Sequence, residues 1–118
     1  MSGDAQIEEL LQRLDLDRLG DILSEQNKRG RINIIYLTGF ERDNDSKHVV
    51  RYIAKGLVDL FGYISEDAKR GFEIGIFPAD IIVESGEDLS GNIKRSVIVS
   101  IPKLDIKYET ELGNVLKD

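Results

Sequence analysis

The sequence predicts an α+β fold in two layers, and three observations carry it. Apolar residues recur at helical spacing over residues 1–30, a helically spaced stretch follows the first strand-like run, and short β-branched runs fill the rest. The expected product is an N-terminal helical segment, a central β-α-β unit and then antiparallel strands. They would form a mixed sheet of about four to five strands with the helices packed on one face. The 118 residues read as a single domain 1–118. Within it, 1–30 is the helical segment, 31–108 the core and 109–118 a tail or short helix.

The elements follow in chain order. Asp4 caps a helix carrying Ile7, Leu10, Leu11 and Leu14, and Asp15 or Asp17 caps a second carrying Leu16, Leu19, Ile22 and Leu23. The apolar phase breaks at Leu14-Asp15-Leu16, so the segment is two short helices or one bent one. Lys28-Arg29-Gly30 suits the stop, with cations at the negative end of the dipole. Arg31 to Leu37 shows little polar alternation and reads as a central strand.

After the polar loop Thr38 to Asp45, the residues Val49, Val50, Ile53, Leu57, Leu60 and Phe61 fit one face of a helix closing at Gly62. In that reading Val49, Ile53, Leu57 and Leu60 face the sheet while Lys47, Arg51 and Lys55 face water. Gly56 is costly inside a helix, which implies close approach of another backbone. Residues 72–77 and 80–84 read as strand interrupted at Pro78, where a donor is missing and the chain must kink, bulge or form an edge. A loop of about nine residues, 86–94, precedes the strand Ser96 to Ile101. Leu104, Ile106 and Tyr108 alternate with charged residues as a half-exposed final strand, and Leu112, Val115 and Leu116 suit a short helix.

Composition narrows the chemistry. The chain holds 22 acids and 16 bases, a net charge of -6, which opposes general affinity for nucleic acid or anionic membranes. Residues 1–25 and 71–118 are acidic and residues 26–70 locally basic. No run approaches the roughly 18 apolar residues of a membrane-spanning helix, and Asp4, Glu8 and Glu9 do not suit an export signal. We therefore expect a cytoplasmic protein with no membrane partner. The absence of cysteine excludes disulfides, thiolate catalysis and sulfur-ligated metals.

The single histidine, His48, beside Asp43 or Asp45 is the one acid–base pairing the sequence offers, and no serine has nucleophile-elbow spacing. An enzyme using these groups is the least favoured reading, and no catalytic residue, metal site or cofactor is assigned. Glu41, Asp43, Asn44 and Asp45 supply oxygens without the glycine and distal glutamate of a calcium loop. Lys47, Arg51 and Lys55 recur every four residues as a basic stripe, and Lys94-Arg95 sits at the foot of the long loop. These five are the candidate binding residues.

In element order and lengths, residues 31–104 resemble the later part of an Alba-type nucleic-acid-binding domain. Phe40-Glu41-Arg42-Asp43 stand where that family has glycine-arginine and lysine positions, and helix replaces its first strand. The resemblance implies nucleic-acid binding through the basic stripe. The favoured expectation is different: a non-catalytic binding or assembly module that pairs with itself as a homodimer or with another protein. The strand runs are apolar on both sides, and so short a chain has little with which to cover them.

Overall fold

The computed structural model describes residues 3–27, 30–43, 48–65 and 70–118, with side chains throughout except at 3–5, 63–65 and 70–71. Two helices lead, α1 (Gly3–Gln12) and α2 (Leu16–Gln26). Asp15 starts the second with its side chain accepting from the Arg18 amide, which satisfies an amide that the helix start leaves unpaired. The strands are β1 (Gly30–Leu37), β2 (Glu41–Arg42), β3 (Val49–Ser65), β4 (Arg70–Glu87), β5 (Ile93–Ile101) and β6 (Ile106–Glu111). Short 3-10 turns cover Pro102–Leu104 and Leu112–Val115. The fold is mixed α+β and dominated by its sheet.

The predicted central helix is a strand. Residues 49–65 form β3, and they pair with β4 from Val49↔Gly86 to Ser65↔Arg70. Among the described residues the β-α-β unit is therefore not found. Every pairing among them is antiparallel, in the order β1-β3-β4-β5-β6 with β2 also on β3, six described strands where about four to five were expected. The physical reason lies in the sequence itself. Tyr52, Ala54, Gly56, Val58 and Leu60 alternate as buried residues, while Ile53 and Leu57 are apolar on the opposite side. A strand with apolar residues on both sides satisfies a helical period by accident.

The helices cover one side of the sheet, the inner face. Leu19 and Leu23 are sealed with Ile32, Val58, Ile81, Val83, Val97, Val99 and Ile101, and Ile7 of α1 is buried as well. The second helix also reaches both sheet edges. The Ile32 amide of β1 donates to Ser24 Oγ at 3.0 Å, and Gln26 Nε2 donates to the Glu109 carbonyl of β6 at 3.0 Å. Backbone edges that would otherwise invite another strand are thus partly capped. The chain's end clips the helix junction, with the Asp15 amide donating to the Val115 carbonyl and Lys117 to Arg13.

Gly56 does meet another backbone, in a strand rather than a helix: a Cβ there would stand 2.5 Å from the Tyr36 carbonyl oxygen. Pro78 pairs with Leu57, but β5 takes up pairing only from Asp80, so β4 is locally an edge at the proline and no donor is missed. The expected nine-residue loop shortens to residues 88–92. There Asp88 Oδ1 accepts from the Ser90 and Asn92 amides, 2.9 Å each.

Candidate protein-docking face

Because side chains alternate along a strand, burying Tyr52, Ala54, Val58 and Leu60 under the helices forces their neighbours outward. On the outer face of β3 stand Arg51, Ile53, Lys55, Leu57 and Asp59, and opposite them on β4 stand Glu84, Ile82, Asp80, Pro78 and Ile76. β5 continues the rows with Ser96, Ile98 and Ser100. The face therefore reads as alternating bands. An ionic row of Arg51 and Glu84 is followed by an apolar row of Ile53, Ile82 and Ile98, then an ionic row of Lys55 and Asp80, then Tyr36, Leu57 and Pro78.

The ionic rows are closed within the chain. Arg51 Nε lies 2.6 Å from Glu84 Oε1, and its Nη1 lies 3.9 Å from Asp43 Oδ2. Lys55 Nζ lies 2.8 Å from Asp80 Oδ1. Among the described residues, the helices leave the apolar rows uncovered. Tyr36 is 56% exposed, Ile76 53% and Leu57 37%, while Ile53, Ile82 and Ile98 are half-buried by their neighbours. A depression of about 500 Å³ crosses the face, lined by Arg51, Ile82, Glu84, Ile98, Lys107 and Glu109. Burial pushes the Tyr108 hydroxyl, at the rim, above its ordinary pKa.

The structure distributes the five candidate binding residues among different places. Arg51 and Lys55 share the outer face as the four-residue spacing implied, since a spacing of four also keeps one side of a strand. They lie beside Ile53 and Leu57, not opposite them. Lys94 is exposed on the same face, in the row of Val49 and Gly86. Arg95 turns to the inner face, where its Nη2 donates to Gln6 Oε1 at 3.3 Å and its Nε is buried without a hydrogen-bond partner. Lys47 lies outside the described residues.

His48 is exposed at a bend ahead of β3, Asp43 is taken up by Arg51, and Asp45 is outside the described residues. The helix on which the Alba-type resemblance rested is β3, so the element order that carried the likeness is not found. Sequence reasoning missed Tyr36, Leu57, Ile76, Asp80 and Glu84 as members of one surface. The signal available was the alternation Asp80, Ile82, Glu84 beside Arg51, Ile53, Lys55. It becomes visible only when the second segment is also read as strand. Among the described residues no helix is long and apolar enough to cross a membrane. Comparison with protein-family models, curated proteins and solved structures finds no match.

Proposed function

We propose that the chain is a small non-catalytic assembly module that self-associates through the outer face of its sheet. The observation that carries this reading is the uncovered pair of apolar rows, Tyr36 with Leu57 and Ile53 with Ile82 and Ile98, on a sheet whose helices all lie on the other side. Removing such surface from water is the main favourable term in association, and exposed apolar surface bordered by polar residues marks interaction sites. The ionic rows between them favour a protein surface over a polyanion. Arg51 and Lys55 each sit against a carboxylate, so a phosphate approaching them meets Glu84 and Asp80 as well. The setting we propose is the cytoplasm, with which the cysteine-free composition is compatible.

Light scattering across micromolar to high-micromolar concentration tests the reading. Wild type is expected as a dimer, and a variant carrying Leu57→Lys with Ile76→Lys as a folded monomer. A wild type that stays monomeric throughout removes the proposal. Strong absorbance near 260 nm in the purified protein would favour nucleic-acid binding instead, since a chain with no tryptophan and 4 tyrosines absorbs weakly there.

A further inference from the structure

Resting on that docking reading, we infer that the outer face carries a code for pairing with a second copy in one orientation only. The two copies are related by a two-fold axis that runs parallel to β3 and β4, midway between them. Each copy's β3 then lies across the partner's β4, and the specificity-determining residues are Arg51, Lys55, Asp80 and Glu84.

The code is the row pattern. Along β3 the outer face runs cation, apolar, cation, apolar at Arg51, Ile53, Lys55 and Leu57. In the same rows β4 runs acid, apolar, acid, apolar at Glu84, Ile82, Asp80 and Pro78. An axis parallel to the strands exchanges the two strands and keeps the rows. Arg51 then meets the partner's Glu84 and Lys55 the partner's Asp80, while Ile53 meets the partner's Ile82 and Leu57 the partner's Pro78. All four rows are complementary at once, as a two-fold interface requires of a single patch.

The competing in-plane axis runs across the strands and lays each strand on its own copy with the rows reversed. Centred on the row of Ile53 and Ile82, it puts Arg51 over the partner's Lys55 and Glu84 over the partner's Asp80. Like charges placed opposite one another oppose association. The charge pattern thus separates the two arrangements.

Strength and specificity come from different rows. Each cation already has its carboxylate within the chain, 2.6 Å at Arg51 and 2.8 Å at Lys55. Stacking turns each pair into a square of alternating charge, in which Coulomb gain is set against desolvation, so the ionic rows fix orientation more than affinity. The apolar rows supply the area. Two sheets packed face to face stand about 10 Å apart with strands within about 30° of each other, a gap that arginine, lysine and glutamate side chains bridge.

Exchanging the charges of one row tests the code and keeps the pair inside each chain. The variant carrying Arg51→Glu with Glu84→Arg still has opposite charges side by side on its own face. On the axis parallel to the strands, position 51 still meets the partner's position 84 with opposite sign, so the variant alone should dimerise with affinity near that of wild type. Against a wild-type copy the same row presents like charge to like charge, so in an equimolar mixture with isotope-labelled wild type the mixed dimer should be depleted by at least about tenfold, read by native mass spectrometry. The axis across the strands instead brings position 51 onto the partner's Lys55 with opposite sign, so there the variant would dimerise more tightly than wild type.

General attraction or repulsion between net charges does not explain such sorting, because the exchange leaves the net charge at -6. If circular dichroism shows that the variant does not fold, Lys55→Asp with Asp80→Lys repeats the logic at the most exposed row, where Lys55 is 70% exposed. A wild-type dimer whose folded variant mixes freely with wild type, or dimerises more tightly than wild type, overturns this axis and leaves the docking face standing. A monomeric wild type overturns both.

Discussion

The two faces of one sheet are built from the same strands and meet opposite fates. On the inner face Ala54, Val58, Ile81 and Val83 are at most 1% exposed beneath the two helices. On the outer face their immediate neighbours Ile53, Leu57 and Ile82 remain half-buried or exposed, the row of Ile53 and Ile82 lying between two ion pairs and the row of Leu57 beside one. What differs is cover. Among the described residues, the helices bury their apolar stripes at Ile7, Leu19 and Leu23 on the inner face. A sheet finished on one side only has a stable core and a surface ready for assembly, because the energetics of the two are separate.

That separation makes unequal consequences for neighbouring substitutions. Ile81→Ala should destabilise the fold by about 2–5 kcal/mol, through lost burial and a cavity beneath the helices. Ile82→Ala, one residue along and facing the other way, should cost the monomer about 1 kcal/mol or less and act chiefly on association. Chemical denaturation of the two variants at low concentration measures the contrast. Equal losses would break the distinction between the faces.

A smaller effect sharpens the same boundary. Gly56 lies where β1 crosses close to β3, and an added Cβ meets the fixed Tyr36 carbonyl rather than a flexible side chain. Gly56→Ala should therefore lower stability by about 1–3 kcal/mol through overpacking. Gly113→Ala, with open space around its Cβ position, should be close to neutral. A rise in melting temperature for Gly56→Ala would mean that the two strands have room to separate.

The helical segment was legible because its two apolar stripes break phase at Leu14-Asp15-Leu16 and Asp15 offers a cap, and both features have direct local causes. The strands at Arg31 to Leu37 and Ser96 to Ile101 were legible from β-branched residues alone, but the first, expected at the centre of the sheet, is its edge strand β1, because position in a sheet is set by long-range pairing. β3 was not legible. Ile53, Leu57 and Phe61 sit four residues apart, a helical spacing and equally every second outward position of a strand. Ordinary half-buried strands would carry polar residues there and so declare their period. The residues that hid β3 are among those that make the outer face apolar, so the misreading and the docking surface share one cause. The cationic stripe was recognised, but its acidic partners on β4 were not, because strand register is a long-range property that spacing along one segment does not contain.

The central claim is that association covers the outer face, and a thiol placed there reads this directly. The chain has no cysteine of its own, so Leu57→Cys supplies a single reactive group in the middle of an apolar row, and Asn114→Cys supplies one on the exposed turn after β6. Maleimide labelling of both variants is followed from low to high micromolar protein. The account predicts that labelling at position 57 slows as concentration rises while labelling at position 114 keeps a constant rate; equal, concentration-independent rates at the two positions would contradict it.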